Sequence, residues 1–158
     1  AGFYVISGIS LAINVPNVIG TSYCNSLPNI TGAMSQLTAV GSTVAAANNV
    51  NLLITNMPPQ FFGIALASRV QAMVPLNEGI LCLGGTIGRF SLPGQIFQAD
   101  AQGNAQFQVP LTMIPQGGIF ASAVSGDTWN FQVWHRDIDP MTGGNSANFT
   151  DAIQISFL

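Results

Sequence analysis

The sequence predicts an all-β protein: an antiparallel β-sandwich, immunoglobulin-like or jelly-roll-like, with an N-terminal extension strand and one disulfide. Three observations carry this. Short runs of alternating apolar and polar residues recur along the chain with Gly, Pro or Asn between them, which is the period-2 signature of half-buried strands. No segment has a long apolar stripe of helical period, and "LTMIPQGGIF" holds a single turn at most. At 158 residues the chain fits one domain with enough length to bury a core.

The elements follow in order. "FYVISGISLAINV" alternates Phe3, Val5, Ser7, Ile9, Leu11, Ile13 and Val15 with Tyr4, Ile6, Gly8, Ser10, Ala12 and Asn14. It reads as one continuous strand within residues 1–15, about twice the usual five or six residues. Pro16 to Thr21 reads as a hinge, placing a linker at 16–22 and the sandwich at 23–158. Within the sandwich, Val50, Leu52 and Ile54 alternate, "NMPPQ" turns the chain, and "FFGIALAS" and "GILCLGG" are further apolar runs. Ala105, Phe107 and Val109 alternate with glutamines. Trp129, Phe131, Val133 and His135 share one side of a strand whose other side carries Thr128, Asn130, Gln132 and Trp134. Ile153, Ile155 and Phe157 close the chain, for a total of roughly seven to nine strands. No repeat is visible.

Charged residues make up only 6% of the chain, against roughly 25% in an average soluble protein. There is no lysine. The bases are Arg69, Arg89 and Arg136, and the acids are Glu78, Asp100, Asp127, Asp137, Asp139 and Asp151. A net charge of −3 without a basic cluster excludes a nucleic-acid footprint and polybasic docking to anionic lipid. So few charges leave little repulsion between copies, so self-association is expected. The polar surface has to be built from Asn, Gln, Ser, Thr and Gly, a composition commoner in secreted, wall-associated or fibrous proteins.

Two cysteines, Cys24 and Cys82, make one bridge available, which would stabilise by roughly 3–5 kcal/mol and imply an oxidising compartment. No apolar run reaches the roughly twenty residues of a membrane helix. The opening stretch lacks the basic flank of a signal peptide, and a mature terminus after signal removal is expected at Ala1.

The catalytic inventory is thin. His135 is the only histidine and shares its strand face with Trp129, Phe131 and Val133, where a packed or edge histidine is the ordinary reading. No serine stands in a nucleophile-elbow pattern, and "GGTIG" lacks the Lys of a phosphate loop. No enzymatic activity and no cofactor are expected. Asp137, Asp139 and Asp151 are weak Ca²⁺ candidates, because "DIDPMTGGN" has oxygen donors without EF-hand spacing. Asn29 in "NIT" and Asn148 in "NFT" are acceptor sequons. Trp129 and Trp134 fall on opposite sides of one strand, so one of them is expected in the core and the other at a surface or interface.

From Tyr23 onward the chain resembles a domain found at the C-terminal end of many secreted proteins of planctomycetes and related bacteria. The resemblance is carried by "YCNSLPNITGA", "PPQFFGIALAS", "LCLGGTIGRF", "GDTWNFQVWHRD" and "ANFTDA". It implies an extracytoplasmic, disulfide-linked β-domain with no catalytic residue to carry over, and Cys24 and Cys82 fall on the family's cysteine positions. Residues 1–22 lie outside it.

The functional expectation is an extracellular structural subunit that assembles with copies of itself into a fibre or surface filament. In that reading Phe3, Val5, Ile9, Leu11, Ile13 and Val15 form the subunit interface, inserted into a neighbour's sheet by strand donation. The alternative is a monomeric accessory module that binds carbohydrate or a cell surface.

Overall fold

Val50, Leu52 and Ile54 alternate along one strand and are all fully buried, and the residues they pack against define the architecture. The computed structural model describes residues 3–6, 9–12 and 16–158, with side chains from Pro16 onward. In chain order its strands are β1 (Phe3–Ile6), β2 (Ile9–Ala12), β3 (Val18–Ile19), β4 (Thr21–Tyr23), β5 (Gln36–Gly41), β6 (Val50–Thr55), β7 (Phe62–Ser68) and β8 (Val70–Leu76). They continue with β9 (Gly79–Gly84), β10 (Gly88–Arg89), β11 (Phe97–Gln98), β12 (Ala105–Gln108), β13 (Ile114–Gln116), β14 (Ile119–Ala121), β15 (Thr128–Ile138) and β16 (Asn145–Ser156). The one helical piece among the described residues is a 3₁₀ turn at Ala45–Ala47.

The chain is all-β, and every pairing between strands is antiparallel. The smaller main sheet has the order β12-β6-β5-β3. The larger runs β10-β7-β15-β16-β4, with β11 also on β7. Their facing sides supply the core. Leu37, Ala39, Val50, Leu52 and Ile54 come from the smaller sheet, and Ala65, Ala67, Trp129, Phe131, Val133, Ile153 and Ile155 from the larger. This is the sandwich that the alternation predicted. The expected count of strands was too low, because pieces of two to four residues such as β10 and β11 are too short to leave a period.

Two N-terminal expectations change. Phe3–Ile6 and Ile9–Ala12 are not one continuous strand but two strands paired with each other, with Ile6 opposite Ile9. Ser7 and Gly8, residue types that favour turns, stand between them in sequence and lie outside the described residues. The segment 16–22, expected as a hinge, instead contributes to both main sheets. Val18 and Ile19 pair with Val40 and Ala39 of β5, and Ile19 is a core residue. Thr21, Ser22 and Tyr23 then pair with Gln154, Ile153 and Ala152 of β16. The crossing between sheets occurs at Gly20, whose φ is +79°. A Cβ there would meet Ile153 Cγ2 at 2.7 Å, so only glycine passes.

A β-bulge sets up everything that follows. The β15–β16 register slips between Gln132↔Ala152 and Trp134↔Phe149. Phe131 still faces Ile153 in the core, but beyond the slip Asn148 falls beside His135 on the inner face and Phe149 beside Trp134 on the outer face. The one extra residue is on β16, and it exchanges the faces of the β16 side chains between the two sides of the slip while β15 keeps its alternation.

Candidate functional site

The outer face of the larger sheet carries a second apolar cluster, in which Leu66, Leu83 and Phe149 are buried with Ile64, Leu81, Ile87 and Trp134 packed against them. Part of this face is covered by the β8–β9 ribbon, whose strands, among the described residues, pair only with each other. Gln132 holds the ribbon down. Projecting from β15 and fully buried, its Oε1 accepts from Cys82 N (2.9 Å) and its Nε2 donates to Ile80 O (2.9 Å) and Thr150 O (2.8 Å). The amide side chain thus stands in for a neighbouring strand along the inner edge of β9. Tyr23 donates its hydroxyl to Cys82 O at 3.0 Å, and burial pushes its pKa up to about 12. The Cys24–Cys82 disulfide fastens the same point covalently.

Beyond the ribbon the face stays open as a groove of about 430 Å³, inside the roughly 300–1,000 Å³ range of small-molecule sites. Ile64, Leu66, Leu81, Ile87 and Phe149 form its apolar walls, with Trp134, Arg89 and Asn77 also lining it. Arg89 pairs with Leu66 across β10–β7, which places both side chains on the groove side. Arg136 lies two residues beyond Trp134 and sets its guanidinium over the Trp134 ring, 5.2 Å from the centroid.

The ion pairing here is uneven. Arg69 pairs with Asp127 at 2.9 Å and covers the Trp129 ring at 4.2 Å. The Arg69 hydrogen bond is the main cause that holds the Asp127 carboxyl below its usual pKa. Among the described residues this is the one salt bridge, so Arg89 and Arg136 have no carboxylate partner. Trp129 is buried in the core and Trp134 lines the groove, which matches the expected division between them.

The inner face, on the far side of the same bulge, holds a closed polar network. His135 Nδ1 lies 2.7 Å from Arg136 O; a carbonyl only accepts, so Nδ1 carries the proton and Nε2 accepts from the Ser35 hydroxyl at 2.8 Å. Asn29 Nδ2 donates to Ser35 Oγ (3.0 Å) and to Asn56 O (2.7 Å). Asp137 accepts from Ile30 N (3.0 Å) and from Asn148 Nδ2 (3.1 Å). A hydroxyl–imidazole contact is what a hydrolase uses, but Ser35 and His135 are 1% and 0% exposed, out of a substrate's reach. The network anchors the loop 27–35 to the sheet.

The remaining sequence candidates separate. Asp137 is taken up in that network, Asp139 closes its own loop by accepting from Met141 N and the Thr142 hydroxyl, and Asp151 accepts from Ser22 Oγ and Leu37 N across the sandwich edge. Among the described residues no three His, Cys, Asp or Glu side chains gather as metal ligands. Asn29 and Asn148 are 5% and 0% exposed with their amide nitrogens hydrogen-bonded, so the folded chain presents neither sequon to a glycosyl donor. The "NIT" sequon instead forms an Asx turn, in which Asn29 Oδ1 accepts from Thr31 N at 3.0 Å. The side chains of Phe3, Val5, Ile9 and Leu11, and Ile13 and Val15 altogether, lie outside the described residues. Gln132 and Arg89 belong to no catalytic or binding motif in the sequence, and their roles here come from the fold. The signal available was a glutamine between Phe131 and Val133 on an otherwise covered strand.

No known protein family, curated protein or solved structure matches this chain.

Proposed function

We propose that this domain is a non-catalytic binding module that takes an apolar ligand, or the apolar part of one, in the outer-face groove. The observation that carries the reading is the combination of an open aliphatic floor (Ile64, Leu66, Leu81, Ile87) with a polar rim at Arg89 and Asn77. The tethers at Gln132, Tyr23 and the disulfide support it, because they preorganise one wall of the groove. The lining is aliphatic more than aromatic, which favours hydrocarbon over a stacked sugar ring. The Cys24–Cys82 bridge favours an extracytoplasmic setting.

The test is a titration of the folded protein with the neutral fluorophore N-phenyl-1-naphthylamine. One bound probe per chain is expected, and Ile64→Trp, which fills the groove, should abolish binding while leaving the thermal midpoint within a few degrees. Absence of probe binding, or equal binding by the filled variant, would overturn the reading.

Self-assembly through residues 1–15 is the second reading, favoured by the apolar β1–β2 pair: a hairpin adds to an open sheet edge as a unit. Deleting residues 1–15 should then convert an oligomer to a monomer by light scattering. A full-length chain that is monomeric at high concentration excludes it.

A further inference from the structure

Resting on the groove as binding site, we infer that its ligand is an anionic amphiphile, a hydrocarbon chain ending in a carboxylate or comparable acid. The chain has three cations, and the structure disposes of them unequally. Arg69 is spent on Asp127. The other two stand at the groove: Arg89 lines it directly, and Arg136 lies over the Trp134 ring that also lines it. The residues whose side chains are undescribed, 1–15, include no Asp or Glu, so no side-chain carboxylate there can be the missing partner. The acid nearest in sequence to the groove lining is Glu78, beside Asn77; its N donates to Ala147 O, opposite Arg136, and its carboxylate accepts from the Ser146 hydroxyl at 2.9 Å without a salt bridge to either arginine.

In a protein of net charge −3, this leaves the Arg89 guanidinium in the lining of an apolar cleft with no salt-bridge partner, and Arg136 beside it on the Trp134 ring. Charge complementarity then selects an acid head, and the aliphatic walls select what is attached to it. A guanidinium receives a carboxylate with two parallel hydrogen bonds, and the half-apolar surroundings strengthen them relative to water. A sugar acid would satisfy Arg89 and Arg136 but leave Leu66, Leu81 and Ile87 facing hydroxyls. A neutral hydrocarbon would satisfy the walls and leave the cations idle.

The experiment compares octanoate, octanol and trigalacturonate as competitors of bound N-phenyl-1-naphthylamine, at pH 8 and low salt. Octanoate should displace the probe at concentrations at least tenfold lower than octanol. Arg89→Gln should bring the two together by weakening octanoate, and Arg136→Gln should narrow the gap in the same direction. Octanoate and octanol competing equally in the wild type would overturn the charge inference and leave the groove reading standing. Competition by trigalacturonate alone would overturn both, and no probe binding at all would sink the groove reading itself. Raising the salt should weaken octanoate and spare octanol, a response that a purely steric role of Arg89 would not produce.

Discussion

At His135 the desolvation of a buried ring outweighs the help of its neighbours. Burial lowers the pKa more than the Arg136 carbonyl and the Asp137 charge raise it, so the folded imidazole stays neutral below the ordinary value near 6.5. The unfolded chain then binds the proton that the folded chain refuses. Stability is fully present above about pH 6.5 and declines as the pH falls from there toward the folded-state pKa. Urea midpoints measured from pH 7.5 down to pH 5 should fall, and His135→Gln should flatten that decline relative to wild type. Ser35 supplies the hydrogen bond to Nε2. Ser35→Ala leaves a buried acceptor unpaired and is expected to cost about 1–3 kcal/mol in urea unfolding at pH 7.5.

At the scale of elements, the β8–β9 ribbon is the part that makes a site out of a sheet. Its outer strand exposes Val70, Met73 and Val74 on an edge that no other described strand pairs, which would invite another chain. Two features blunt it: Pro75 cannot donate a ladder hydrogen bond, and the register slips between Gln71 and Val74. Its inner strand depends on Gln132. Gln132→Leu keeps most of the volume but strands Cys82 N, Ile80 O and Thr150 O, so a loss of at least about 3 kcal/mol is expected. Amide exchange should then rise in Gly79–Gly84 before it rises in β15. Unchanged protection of Cys82 would show that the disulfide alone holds the ribbon.

For the molecule as a whole, the disulfide is the covalent constraint. Cys24 and Cys82 are 58 residues apart, which in the chain-entropy model contributes about 4 kcal/mol by limiting the unfolded state. Replacing both with Ala should lower the unfolding free energy by that order. The groove should lose probe affinity as well, since Cys82 sits in the ribbon that walls it. Reduced protein that unfolds at the same midpoint would contradict this. Scarce charge acts at the same scale: with one salt bridge among the described residues, packing and hydrogen bonds carry the stability.

The all-β class, the sandwich core on β6, β15 and β16 and the Cys24–Cys82 pair were legible in the sequence, because each follows from a period of two or from residue type; that His135 is packed rather than at an edge was not. Trp129 against Trp134 was legible for the same reason. The groove was not. It depends on a one-residue slip opposite Val133 that exchanges the faces of Asn148 and Phe149, and alternation read along a single strand cannot reveal a slip between two. The roles of Arg89, Gln132 and Asp151 were equally hidden, since each bonds or faces residues distant in sequence. Residue chemistry determined which strands form and which side of each is apolar. Only tertiary structure decided which apolar side is sealed as core and which is left open beside Arg89, because covering a face is a property of the elements packed against it.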